Sequence, residues 1–123
     1  MTLYEQMLAN GFRQSDQREA ICATIENSDD HPDCETIEAR ASGVSQATVY
    51  RTCKSLVEIG AVRGFDFFGD GRMRFEVDTH DGHGHVISQS TGVVENIAID
   101  KYLGQARIDI GAVVELKLLI VID

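Results

Sequence analysis

The chain has 123 residues, enough for one or two small units with a workable core. It is 43% hydrophobic and 25% charged with a single proline, and no run approaches the roughly 18 apolar residues of a membrane span. A formal net charge of −9 argues against a nonspecific polyanion binder, and the opening "MTLYEQMLAN" lacks the basic and apolar runs of an export signal, so a cytoplasmic protein is expected.

The elements follow in order. "LYEQMLANG" fits a short helix with Leu3, Met7 and Leu8 on one side and Gly11 at its end. Ser15 can cap a second helix through "DQREAICATIEN", in which Ile21 and Ile25 lie one turn apart. Asp33 caps a third, "CETIEARA", which ends at Gly43. Ser45 caps the strongest helix, "QATVYRTCKSLVEIG", with Val49, Cys53, Leu56 and Val57 as its apolar stripe and Gly60 as its stop. Ala47, Tyr50, Arg51 and Lys54 project from another face.

The period then changes to two. "AVRGFDFF" and "RMRFEV" read as strands joined by a "GDG" turn, with Met73, Phe75 and Val77 on one face and Arg72, Arg74 and Glu76 on the other. Helices followed by a small hairpin are the order of a winged helix. "DTHDGHG" is a plausible hinge, and "HVISQSTGVVENI" a hairpin turning near Ser90 to Gly92. "DKYLGQAR" is a weak helix interrupted by Gly104. The terminal "AVVELKLLIVI" is a strand too apolar to stay exposed, which points to a homodimer interface. Cys22, Cys34 and Cys53 form no CxxC and read as reduced thiols.

Charge is unevenly placed. Between Arg40 and Arg74 six cations face three anions, directly after the acidic "ENSDDHPDCE". In a winged helix the last helix of the bundle enters the major groove and the wing touches the backbone. Ser45, Gln46, Thr48, Tyr50, Arg51 and Lys54 suit the first role, and Arg72 and Arg74 the second. A solvated helix whose cations merely balance acidic neighbours is the alternative.

His83 and His85 stand two apart, so on a strand both imidazoles share a face. Glu76 precedes the hinge, and His31 lies in the acidic turn before the third helix. Imidazole with carboxylate suits Mn²⁺, Fe²⁺ or Zn²⁺. Surface histidines in a glycine-rich loop are the alternative, with His80 the bystander. Nothing supplies an evident general base, nucleophile or substrate pocket, so no enzyme is expected.

Together these stretches resemble the ferric uptake regulator family. "GFRQSDQR" is similar to its opening helix signature. "ATVYRT" followed by "LVEIGAV" is similar to its recognition-helix motif, "GDGRMRFE" to its wing, and "HGHVI" to its His-x-His strand. The likeness is sharp from Gly11 to Gly92. It implies an α+β fold: a winged-helix DNA-binding domain over 1–78, a hinge over 79–84 and a small α/β dimerisation domain over 85–123. It implies a homodimeric, metal-dependent repressor of iron or manganese homeostasis acting on palindromic operator DNA.

One divalent metal per subunit is implied, Fe²⁺ or Mn²⁺ with Zn²⁺ as surrogate, held by His31, Glu76, His83 and His85. Glu95 is a further candidate ligand standing one position before the usual spacing, where Asn96 is found. Tyr50 and Arg51 match the family's DNA contacts, and Arg13 a basic position that reaches the minor groove.

Departures narrow the reading. Ser88 and Thr91 replace the CxxC that holds structural zinc in many members. Gly82 and Gly84 stand where a second site would need a histidine and an aspartate, and no histidine follows His85. A haem- or peroxide-responsive regulator of the same family is the alternative, as is a dimeric metal-binding protein without DNA activity. The "HPD" turn and "DGRMRFE" wing fit the iron and manganese group, and no Cys-Pro haem motif occurs.

Overall fold

In the computed structural model, residues 1–79, 83–98 and 119–123 are described. The chain divides into two compact units, Met1–Asp78 and Thr79–Asp123. Among the described residues no helix is long and apolar enough to cross a membrane.

The first unit holds four helices, α1 (Leu3–Ala9), α2 (Asp16–Glu26), α3 (Cys34–Ala41) and α4 (Gln46–Glu58), then strands β1 (Val62–Phe65) and β2 (Arg74–Val77). Each helix starts on a side chain that accepts a first-turn amide: Thr2 in a capping box with Glu5, then Ser15, Asp33 and Ser45. Beyond the ends of α3 and α4, Gly43 and Gly60 have φ of 77°, a left-handed turn that a side chain would disfavour. Leu3, Met7, Ile21, Ile25, Ile37, Val49, Leu56 and Phe75 close one core between the helices and β2. Burial of each such side chain contributes about 1.5–3 kcal/mol before entropy is counted.

Two expectations need correction. Val57 is 40% exposed, and Thr52 takes the fourth place on the buried stripe with Val49, Cys53 and Leu56. The turn of the wing is longer than "GDG": Phe65 pairs with Arg74, so residues 66–73 form the connection. That loop is shaped from within, because the Asp66 carboxylate accepts the Gly71 amide at 3.0 Å and Asp70 accepts the Arg72 amide at 3.0 Å.

The second unit contains β3 (Gly84–Ser88), β4 (Val94–Ile97) and β5 (Leu119–Ile122) in the order β4-β3-β5. β3 and β4 form the expected antiparallel hairpin, and β5 runs parallel to β3. Among the described residues of this unit Ile87 and Val94 are the buried apolar ones. The expected helix at "DKYLGQAR", the start of the terminal apolar run and His80 lie outside the described residues.

Candidate metal centre and nucleic-acid interface

The metal candidates of the first unit sit where an acidic loop meets the wing. Asp33 caps α3 by accepting the Thr36 amide at 2.8 Å, and Asp30 is clamped by both outer nitrogens of Arg40 at 2.7 and 2.8 Å. The backbone between them is pinned to β2. The Phe75 amide donates to the Pro32 carbonyl at 3.0 Å. Arg74 Nε donates to the His31 carbonyl at 2.7 Å, and its Nη2 to the Asp30 carbonyl at 3.0 Å. His31 itself has φ of 54°, a left-handed conformation that a non-glycine residue holds only when its surroundings impose it.

This backbone turn sends the imidazole inward. His31 is 4% exposed, its ring lies edge-on to Phe67 at 6.0 Å, and its Nε2 is 2.8 Å from Oε2 of Glu76, whose side chain is 10% exposed. Glu76 pairs across the wing with Arg63, which lies over the Phe65 ring. Two donors bound at about 2.1 Å to one ion, at a right angle, stand about 3 Å apart. A nearly dry imidazole–carboxylate pair at this separation therefore fits a borderline divalent cation.

Charge around the loop is balanced locally. The hydrogen bond from Arg40 holds the Asp30 carboxyl below its ordinary range. Burial pushes Asp33 upward, but the bonds from Thr36 and the Arg72 and Arg74 cations outweigh it, and the net direction is downward. Arg72 lies 3.4 Å from Asp33 and 3.5 Å from Glu35. Arg74 differs from expectation: its guanidinium serves the His31 loop and is not displayed on the outer wing.

In the second unit His83 and His85 do share a side, with ring centroids 4.9 Å apart and planes at 75°, and His85 is 3% exposed. Glu95 does not join them. Cross-strand partners share a face, and Asn96 pairs with His85 whereas Glu95 pairs with Val86 on the opposite face. The one-residue offset puts Glu95 on the wrong side of the sheet for a ligand beside His85. Thus the structure assembles two half-sets, His31 with Glu76 and His83 with His85, each within its own unit. Sequence reasoning missed Arg74's role, Phe67 and the left-handed backbone of His31; only the register of the wing could have revealed the first.

On α4 the side chains of Gln46, Tyr50, Arg51 and Lys54 are exposed, Tyr50 by 61%. Ser45 is committed to the cap, accepting the Thr48 amide at 3.1 Å and meeting the Thr48 hydroxyl at 2.9 Å. Arg13 is exposed just before α2.

The ferric uptake regulator family profile matches residues 9–112. The chain belongs to this family. It is 38% identical over 97 residues to the ferric uptake regulation protein of Rhizobium leguminosarum bv. viciae, covering 76% of this chain and 68% of that one. It is also 38% identical over 103 residues to the Brucella abortus ferric uptake regulation protein, covering 80% and 72%. A solved zinc-bound manganese uptake regulator superposes with a TM-score of 0.81 at 32% identity, covering 98% of this chain and 97% of the other. This member of the ferric uptake regulator family is a metal-responsive transcriptional regulator. Ser88 and Thr91, which the sequence reading set against a cysteine motif, are tied into a hydroxyl network: Ser88 Oγ accepts the Thr91 amide at 3.3 Å and donates to the Asp123 carbonyl at 2.8 Å.

Proposed function

We propose that the protein is a cytoplasmic, homodimeric repressor of iron or manganese homeostasis genes, and not an enzyme. One Fe²⁺ or Mn²⁺ per subunit is held by His31 and Glu76 together with His83 and His85. The observation that carries this reading is the buried His31–Glu76 pair at 2.8 Å on a backbone turn that Arg74 holds in place. Two of the four donors belong to a DNA-binding domain over 1–78 and two lie at or beyond the hinge over 79–84, whose far side is a dimerisation domain over 85–123. An ion that binds all four fixes the angle between the domains, and so the spacing of two α4 helices on a palindromic operator. A 100-fold gain in DNA affinity needs about 2.7 kcal/mol of such coupling.

Arg13, Ser45, Gln46, Thr48, Tyr50, Arg51, Lys54 and Arg72 are the proposed DNA-facing residues, Arg13 in the minor groove. The apolar side chains of β5, exposed at Leu119, Val121 and Ile122, support a subunit interface. Zn²⁺ can substitute at the same donors. The test is DNA binding by anisotropy under anaerobic conditions, with and without Fe²⁺ or Mn²⁺, for the full chain and for Glu76→Ala and His83→Ala. The reading requires a metal-dependent, chelator-reversible gain that both variants lose. Tight binding without metal, or binding loosened by haem, would reassign the histidines to an inactivating site.

A further inference from the structure

Two of the chain's thiols meet where α3 packs on α4 beside the wing. Cys34 opens α3 and is half-buried, while Cys53 is 1% exposed on the buried stripe of α4 between Val49 and Leu56. Their side chains are hydrogen-bonded to each other. Cys22 is placed differently: it is buried, and its thiol donates to Met7 Sδ at 3.7 Å.

The pair is asymmetric. Cys34 lines a cavity of about 340 Å³ whose wall also includes Gln46 and Tyr50 of α4 and Arg72 and Met73 of the wing. A small solute can therefore reach Cys34, whereas Cys53 is closed to solvent. The hydrogen bond from Cys53 favours the Cys34 thiolate and outweighs burial and the Asp33 charge, which oppose it. The same bond, with burial, keeps Cys53 protonated. Asp33 and Glu35 flank Cys34 in sequence, but Arg72 stands 3.4 Å and 3.5 Å from their carboxylates and offsets their repulsion of a thiolate. An accessible thiolate beside a second thiol is the arrangement in which one sulfur meets an oxidant and the other resolves the product.

We propose that Cys34 and Cys53 form an oxidisable dithiol: a hydroperoxide entering the cavity oxidises Cys34, and Cys53 then closes a disulfide between α3 and α4. In the first step the Cys34 thiolate attacks one oxygen of hydrogen peroxide and the O–O bond breaks. Cys34 becomes a sulfenic acid, and the leaving hydroxide takes up the proton that the thiol released, giving water. In the second step the Cys53 sulfur displaces the sulfenic oxygen, which leaves with the Cys53 proton as a second water. Two thiols are thus oxidised to one disulfide as one peroxide is reduced to two waters. In a reducing compartment such a bond is transient, which suits a signal and not a permanent staple.

Its consequence follows from its position. Asp33, adjacent to Cys34, forms an antiparallel bridge with Arg74 of β2. The disulfide therefore ties α4 covalently to the residues that anchor the wing. Closing it draws Cys53 from its packed place, and a close-packed core accommodates this only by shifting the helix. On the DNA-binding reading above, α4 and the wing must keep their relative position to grip one half-site. The effect on DNA rests on that reading; the thiol chemistry does not.

The experiment uses the full chain loaded with Mn²⁺, which does not split peroxide into radicals as Fe²⁺ does. Wild type, Cys34→Ser and Cys53→Ala are treated with hydrogen peroxide, alkylated and mapped by mass spectrometry, with and without a thiol reductant. Wild type should give a reducible Cys34–Cys53 link within one chain. Cys53→Ala should leave Cys34 as a sulfenic acid that a dimedone probe traps, and Cys34→Ser should leave Cys53 unoxidised. Thermal melting checks that the variants fold, and Cys34→Ser, at the half-buried position, keeps the test open should Cys53→Ala not fold. Anisotropy then measures affinity for a duplex that reduced wild type selects from a random library. Oxidation should lower it about tenfold in wild type, within the usual range of coupling between sites, and leave Cys34→Ser unchanged. Reductant should restore it. A Cys22–Cys53 link, a link between chains, or thiols left intact by excess peroxide would overturn the proposal. A Cys34–Cys53 link that leaves DNA affinity unchanged would overturn its effect on DNA. Failure of reduced wild type to enrich any duplex would refute the DNA-binding reading alone, since the mapped link decides the chemistry.

Discussion

Arg74 offers the sharpest test, because sequence pattern and structure assign it different work. As an outer-wing cation it would neutralise a DNA phosphate. In the structure it donates to the carbonyls of His31 and Asp30 at 2.7 and 3.0 Å, and so holds a histidine at φ of 54°. A hydrogen bond from a charged donor contributes about 1.5–3 kcal/mol, and the Asp30 bond, being exposed, lies at the lower end. Backbone in this region costs roughly 1–3 kcal/mol when nothing imposes it. Removal of the guanidinium therefore lets the His31 turn relax and misplaces the imidazole without touching a ligand.

Arg74→Met should lower metal affinity by about 10–100-fold, or roughly 1.4–2.7 kcal/mol, as loss of a ligand-orienting group does. Competition with a chelating dye on the full chain measures this, and far-ultraviolet circular dichroism confirms that the helices persist. Arg74→Lys keeps the charge but cannot reach two carbonyls with one planar fork, so it should fail to restore metal affinity. A phosphate contact would behave in the reverse way. If Arg74→Met binds metal like wild type, while its DNA affinity loses salt dependence and Arg74→Lys recovers it, the loop-holding role is wrong.

Other outcomes follow from neighbouring features. Thiol reactivity should be ordered: the hydrogen bond from Cys53 holds the half-buried Cys34 thiol below its usual range, whereas burial pushes Cys22 up to about 12. Labelling of native protein at rising pH should modify Cys34 first, at a pH below the ordinary thiol value, with Cys22 and Cys53 reacting only on unfolding; equal rates for all three would contradict this. Gly64→Ala would set a Cβ 2.9 Å from Met73 Cε and 3.3 Å from Phe75 Cε1. Met73 can swing away but the buried Phe75 ring cannot, so denaturant melts should show a loss of about 1 kcal/mol. Asp33→Ala removes the cap of α3 and should cost about 1 kcal/mol by the same assay, while Asp33→Asn, which can still accept the Thr36 amide, should recover most of it.

The helices were legible because their signals are local. Ser15, Asp33 and Ser45 act within three residues of where they stand, and Gly43 and Gly60 mark the stops. What escaped depends on register. "GDG" satisfies a tight turn as well as it satisfies the middle of an eight-residue loop, and only the pairing of Phe65 with Arg74 decides. Glu95 was misplaced for the same reason, since one residue of slip along β4 exchanges faces. Val57 and Thr52 are adjacent candidates for one helical stripe by angle, and the polar residue won the buried place because α4 presents that flank to α2. The histidine pairs were legible as chemistry; the left-handed turn at His31 was not, because a residue preceding proline is ordinarily extended.

The distribution of cations bears on why a metal should control such a protein at all. Arg40 and Arg74 are absorbed by the acidic loop and its backbone, which leaves Arg13, Arg51, Lys54 and the wing's exposed Arg72 as the charge that one subunit can direct to DNA. Neutralising about four phosphates supports only weak, salt-sensitive binding by one half-site, and the overall charge of −9 opposes approach everywhere else. Useful affinity must then come from engaging two half-sites together, where the second contact is effectively intramolecular and is lost entirely when the geometry is wrong. Such a system is poised for control by domain angle: a modest coupling energy at the hinge is multiplied by an all-or-none requirement at the operator. Joining two subunits with a rigid covalent link at the DNA-competent spacing should therefore raise DNA affinity without metal and flatten its metal dependence. Unchanged metal dependence in such a linked dimer would mean that the ion acts within each DNA-binding unit and not through its orientation.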